Sequence, residues 1–340
     1  MPKDRVWPRG GTTLRLAALV WAALLASCAS PAETPQAAMQ ISIAYPSIAD
    51  FQDLPSLMAL DRLTEDGYTI VPTFFAQPEL AVEALASGEA DFGFGSTRTY
   101  WAGIQQGGRL TTIMEESSNG WSIVGISEIV DCGDIDGRRL AFHSEGSVAK
   151  AMADAFIRQN CPGITPEILV IPGSENRAAA MLAGQIDVTP LEPADVVQLL
   201  QKAPDRFHVV VDFAASLPDL MTSGVYANLD YAEVHPHTVQ DLLMALLSTH
   251  RRLAADPGLL IEEAASRLGI DDASAPAILE AHLRIDSWDV NGGLTREAVE
   301  YTLAFYLENG SLEPGLTADD VADLAYLTAV LEIMGRVPAP

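Results

Sequence analysis

Leu85-Ala86-Ser87-Gly88-Glu89-Ala90-Asp91 and Leu182-Ala183-Gly184-Gln185-Ile186-Asp187 are two versions of one phrase, the first longer by a single residue. In both, Leu-Ala closes a helical stretch, Gly takes the left-handed position that ends a helix, and Asp leads into a β-rich run. The surroundings repeat as well. Around the first copy, β-branched and aromatic runs predict strands at 41–45, 68–75 and 90–94, with helical spacing of apolar residues at 54–63 and 79–86. Around the second, strands are predicted at 140–142, 168–171 and 186–189, and helices at 148–157 and 177–183. Alternating strands and helices imply mostly parallel sheets covered by helices, and duplication of the unit implies two lobes. Open sheets of this kind bind ligands at the carboxyl ends of their strands, so the cleft between the lobes is the expected site.

Past Val225 the pattern turns helical, with helices predicted at 237–255, 259–268, 275–283, 295–308 and 317–333. Thr317 and Asp320 have capping-box spacing, and Gly258, Gly269, Gly310 and Gly335 punctuate the ends. The expected fold is therefore α/β and two-lobed, with mixed, mostly parallel sheets. A C-terminal helical extension, 256–340, is expected to pack on the first lobe.

The chain has 340 residues, 49% of them hydrophobic, which suffices for a sizeable core. Its 46 acids against 20 bases give a formal charge of −26, which would repel a phosphate backbone and argues against a nucleic-acid partner. Four of the bases, Lys3, Arg5, Arg9 and Arg15, precede an apolar run at 16–26. That run is about half of the roughly 20 residues a membrane-spanning helix needs, so it reads as a secretory signal. Leu25-Ala26-Ser27-Cys28 resembles a bacterial lipobox. Residues 1–27 are then a cleaved lipoprotein signal, Cys28 the lipid anchor, and 28–39 a tether. The expected location is extracytoplasmic, on a cell membrane reached through lipid alone. Cys132 and Cys161 remain, and an oxidising compartment favours a disulfide between them over two free thiols.

Catalytic signatures are missing from the sequence. Gly93-Phe94-Gly95-Ser96-Thr97-Arg98 has Arg where a dinucleotide fingerprint needs its third Gly, and no nucleophile elbow, Walker loop or His-Glu-x-x-His helix occurs. His235-Pro236-His237 beside Glu233 falls short of the four ligands of a closed metal site. The expectation is a binding protein with no catalytic residue, metal or cofactor. Polar loops and aromatics near strand ends supply the candidate pocket: Tyr45, Ser47, Ser96, Thr97, Trp101, Ser118, Asn119 and Trp121 in the first half. Ser144, Gly146, Ser147 and Glu192 supply it in the second. The run from Ser144 opens a helix whose free N–H groups would face the cleft.

The lipobox, the run Leu-Ala-Ser-Gly-Glu-Ala-Asp-Phe-Gly at 85–93 and Asp134-Ile135-Asp136-Gly137-Arg138-Arg139 together resemble the solute-binding proteins of ABC importers. The branch is the one that binds thiamine-precursor pyrimidines, sulfonates, nitrate and riboflavin. The resemblance implies the type II periplasmic-binding fold, two lobes that close on ligand about two crossings, and a permease with its ATPase as partners. The first lobe would be 40–120, completed by 226–255, and the second 121–225, with crossings near 119–130 and 212–225. An importer of a sulfonate, taurine or nitrate and a pyrimidine-synthesis-type enzyme on the same fold are the competing readings. For an anion, the helix start at Gly146-Ser147 offers donors, yet Glu145 sits in the same turn and Arg98 and Arg177 are the only nearby bases. For a flat aromatic heterocycle, Tyr45, Trp101 and Trp121 would stack and Glu192 would accept ring N–H groups. Riboflavin is the first expectation and a thiamine-type pyrimidine the second.

Overall fold

The structure is a computed structural model that describes residues 39–338; the expected signal, the Cys28 anchor and nearly all of the tether lie outside the described residues. The strands are β1 (Gln40–Tyr45), β2 (Thr69–Phe74), β3 (Phe92–Ser96), β4 (Leu110–Glu115), β5 (Ser122–Ile126), β6 (Arg139–Phe142), β7 (Glu167–Val170), β8 (Val188–Leu191), β9 (Phe207–Asp212) and β10 (Ser223–Asn228). They form two sheets, in the orders β2-β1-β3-β10-β4 and β7-β6-β8-β5-β9. The two orders are one topology used twice. β4, β5, β9 and β10 were not predicted.

The duplicated phrase has a structural reason. Gly88 and Gly184 both follow helices, Pro78–Ser87 and Ser174–Leu182, with φ of +78° and +69° that only glycine adopts without strain. The Asp that follows then pins the first strand of its own lobe. Asp91 accepts the Ser42 N–H at 2.7 Å through its carboxylate and donates its own N–H to the Ser42 carbonyl at 2.8 Å. Asp187 does the same with Arg139, at 3.0 Å in each direction.

The sheets are less parallel than expected. β2, β1 and β3 run parallel, as do β7, β6 and β8, but β10 and β5 are antiparallel to both neighbours. Both are the strands that arrive from the other lobe. A chain crossing beside the cleft joins a sheet at the carboxyl ends of its parallel strands, so it must run back against them. The crossings are residues 116–121 and 213–222, the first ending earlier than the expected 119–130 because β5 starts at Ser122.

The C-terminal helices touch both lobes rather than the first alone. Phe51 and Leu54 of the first half, Ala194 of the helix Pro193–Lys202, and Leu260 and Ile278 share one buried cluster. The helix predicted at 317–333 breaks in two, Ala318–Val321 and Leu324–Met334. The break is caused by β4: Thr112 donates its hydroxyl to the Val321 carbonyl at 2.7 Å and accepts the Asp323 N–H at 3.1 Å. Cys132 and Cys161 are joined by a disulfide with their Cα atoms 5.8 Å apart. It ties the turn before β6 to the end of the helix Val148–Asn160, and closing a loop of this length contributes about 3–4 kcal/mol.

Candidate functional site

The carboxyl ends of β1, β3, β4, β6 and β8 and the start of β10 meet around a cavity of about 60 Å³. Of the residues expected there, Ser47, Ser96, Trp121, Ser147 and Glu192 line it. Gln52, Asp53, Glu116, His143 and Ser223 join them and were not predicted. Asp53 completes the capping box that Asp50 begins, accepting the Asp50 N–H at 2.8 Å. Glu116 follows the Glu115 that ends β4, and a pair of carboxylates at the end of a buried strand was the available signal.

The remaining expected residues lie elsewhere. Trp101 is fully buried, donating its indole N–H to Thr112 at 3.0 Å and meeting Tyr306 edge-on. Thr97 is buried beside it, hydrogen-bonded to the Met221 carbonyl and the Tyr306 hydroxyl. Tyr45 is 1% exposed, with its ring stacked on Phe74 and Phe94 at centroid distances of 5.0 and 4.9 Å. Both faces are taken by protein, so a ligand cannot stack on it. Ser118 and Asn119 sit in the first crossing and border a separate open groove. The Asn119 amide donates to the Phe213 and Leu217 carbonyls at 3.3 and 3.1 Å, so it binds one crossing to the other.

Ser144 and Gly146 serve the contact between the lobes. Ser144 Oγ and the Gly146 N–H both donate to Glu79 Oε1, at 2.7 and 3.2 Å. Glu79 belongs to the helix Pro78–Ser87 of the first half. The Val148 N–H donates to Ser96 Oγ at 3.3 Å, and Thr99 Oγ1 donates to the Gly146 carbonyl at 2.9 Å. The anion that this helix start attracts is thus the protein's own carboxylate. A Cβ at Gly146 would lie 2.4 Å from Glu79 Oε1, so the approach requires glycine. Arg177 is turned away from the cavity. It is fully buried, with its guanidinium on the carbonyls of Pro190, Ile171 and Gly173 and 5.9 Å from the Trp121 ring centroid.

Electrostatically the cavity is acidic. Burial pushes Glu116 up to about 7 and Asp195, close by, up to about 6. Asp53 and Glu192 rise well above the usual carboxylate range, through burial first and then the nearby charge of Asp50. His143 is pulled down to about 4 by burial and by Arg177, so its ring is neutral at physiological pH. Outside the cavity, burial pushes Glu115 up to about 8.

These shifts carry a sign. Groups whose folded pKa lies above the unfolded value stabilise the fold while protonated, and that stabilisation is lost as pH rises through about 7 for Glu116 and 8 for Glu115. His143 and His282, depressed to about 4 and 3, act oppositely, but only below the ordinary histidine value of about 6.5. Between pH 6.5 and 8 the carboxylates dominate. The unfolding free energy is expected to fall by about 2 kcal/mol across that window, as measured by urea titration at the two pH values. A flat or rising profile would contradict the buried carboxyls.

A family model described as NMT1/THI5 like matches residues 68–258, more than half of the chain. The chain belongs to the NMT1/THI5-like family. No curated protein sequence matches it. Among solved structures, this NMT1/THI5-like chain is similar to a protein from Bordetella bronchiseptica RB50 at 14% identity and a TM-score of 0.70, with 87% of this chain and 98% of that one covered. It is similar to the alkanesulfonate-binding protein SsuA from Xanthomonas axonopodis pv. citri bound to MOPS, at 18% identity and a TM-score of 0.67, covering 83% and 97%. It is also similar to the periplasmic nitrate-binding protein NrtA from Synechocystis PCC 6803, at 11% identity and a TM-score of 0.69, covering 88% and 89%. Identities this low establish the fold, which is the two-lobed periplasmic-binding fold.

Proposed function

We propose that the chain is the extracytoplasmic solute-binding component of an ABC importer. It captures a small flat aromatic heterocycle between its lobes and delivers it to a permease and its ATPase. The observation that carries this reading is the cavity itself, where Trp121 stands beside the acceptor oxygens of Asp53, Glu116 and Glu192 at the carboxyl ends of two duplicated sheets. The residue sets 40–120 with 226–255, and 121–225, would move against each other about the two crossings. Cys28 would carry the lipid that holds the protein at the membrane.

Within that class a single-ring aminopyrimidine of the thiamine-precursor type fits better than riboflavin. The cavity, at about 60 Å³, is well below the roughly 300–1,000 Å³ of pockets for larger ligands, so a tricyclic flavin needs the lobes much further apart. Amino and ring N–H groups also match the acceptor-rich lining. A sulfonate or nitrate, as bound by the named neighbours, would meet these carboxylates and a helix start already taken by Glu79.

Titration calorimetry of the purified protein with 4-amino-5-hydroxymethyl-2-methylpyrimidine and with riboflavin tests the reading. Micromolar or tighter binding of the pyrimidine is expected, and Trp121→Ala should weaken it about tenfold through lost stacking and burial. Equal affinity in wild type and Trp121→Ala would remove Trp121 from the site. Tight binding of ethanesulfonate instead would replace the heterocycle with an anion. For the anchor, Cys28→Ala should move the protein from the membrane fraction to the soluble fraction of the cell.

A further inference from the structure

We propose that the ligand held between the lobes is a small organic cation, ion-paired through its N–H groups to the carboxylates of Glu116, Asp53 and Glu192. The inference rests on the solute-binding reading above and narrows its substrate class. Glu116 is 3% exposed; its Oε2 accepts the Ser223 hydroxyl, while its Oε1, equally buried, has no N–H or hydroxyl donor among the described residues and the carboxyl stands against that of Asp53. A buried carboxylate oxygen left without a donor is costly, and here it belongs to a side chain that lines the cavity. Among the described residues, three carboxylates line that cavity and no Lys or Arg does.

The bases nearby are committed to backbone carbonyls, Arg98 to that of Gly146 and Arg177 to those of Pro190, Ile171 and Gly173. The anion-attracting helix start is filled by Glu79. Burial and then the nearby charge of Asp50 raise the carboxyls of Asp53, Glu116 and Glu192, a crowding that a cation relieves and a neutral ligand does not. Trp121 adds a π face to which a flat cation is also attracted. Among the described residues no three His, Cys, Asp or Glu side chains converge as ligands of one metal ion. The spread of the acceptors suits an organic cation with several N–H groups.

Benzamidine, benzamide and benzoate are flat single rings of nearly one size that differ in charge. Calorimetry of the purified protein should give benzamidine at least tenfold tighter than benzamide, with no detectable benzoate binding. Glu116→Gln should lower benzamidine affinity about tenfold and leave benzamide unchanged. Glu192→Gln, nearer the solvent, should act in the same direction and serves if Glu116→Gln does not fold. Benzamide or benzoate binding as tightly as benzamidine would overturn the charge assignment. If riboflavin or the aminopyrimidine then still binds, the solute-binding reading survives that failure. If no aromatic probe of any charge binds, both fall together.

Discussion

Arg177→Ala is expected to lower the unfolding free energy by about 3–4 kcal/mol, because it removes the guanidinium's hydrogen bonds to three carbonyls at once and empties a fully buried site. Nε and one terminal nitrogen donate to the Pro190 carbonyl at 3.2 and 3.1 Å, and the other donates to Gly173 and Ile171 at 2.9 and 3.2 Å. These carbonyls lie where the chain leaves β7 and where β8 runs toward Glu192. The Ile171 carbonyl is orphaned at a cost of about 1–3 kcal/mol, Gly173 keeps the backbone N–H of residue 177 and Pro190 the Thr189 hydroxyl, and the lost side-chain volume adds a cavity. Release of the guanidinium from burial, which already pulls its pKa down to about 10, offsets part of the loss. Arg177→Lys should recover less than half, since an ammonium cannot reproduce the planar fork across three acceptors. Ligand affinity should fall in both variants, because the guanidinium supports the Trp121 ring. Urea unfolding read by tryptophan fluorescence measures the first effect. A loss below about 1 kcal/mol would mean that these carbonyls find other donors when the guanidinium is gone.

Glu79→Ala should have the largest functional consequence. It removes the acceptor of two hydrogen bonds that join the lobes, from Ser144 Oγ and the Gly146 N–H. Hydrogen bonds to a charged group contribute about 1.5–3 kcal/mol, enough to shift a two-state closure by more than tenfold. In ligand-free solution scattering the variant should show a larger radius of gyration than wild type. It should also acquire a property that the wild type lacks. With Glu79 gone, the Gly146 N–H and the Ser144 hydroxyl lose their acceptor beside a helix start with a favourable dipole, so ethanesulfonate should bind. Glu79→Gln keeps a neutral acceptor in place and should fall between the two. A variant that neither opens nor binds the sulfonate would show that Glu79 is not what occupies the helix start in solution.

Much of the architecture was legible before any coordinates. Strands β1, β2, β3, β6, β7 and β8 and the helices beside them follow from apolar spacing and from glycine stops, all of which are local. The repeated Gly and Asp announced the duplication, and the structure supplies its cause in the pins that Asp91 and Asp187 make on Ser42 and Arg139. The antiparallel β5 and β10 were not legible, because their direction depends on where the crossings join each sheet. The site was legible in outline only. Ser47, Ser96, Trp121, Ser147 and Glu192 do converge. Tyr45, Thr97 and Trp101 were equally plausible by position, but which way a side chain at a strand end or in a first helical turn faces is set by its packing partners, here Phe74, Phe94, Met221, Thr112 and Tyr306.

By itself the sequence determined the duplicated α/β order, the helical extension and the acidic character, because spacing and composition act within a few residues or over the whole chain. Only the tertiary structure decided that Asp53, Glu116 and Glu192 share one cavity and that Glu79 fills a helix start 67 residues away in the chain. Those pairings join distant segments, and the burial that makes an unpaired carboxylate costly exists only once the two lobes have come together.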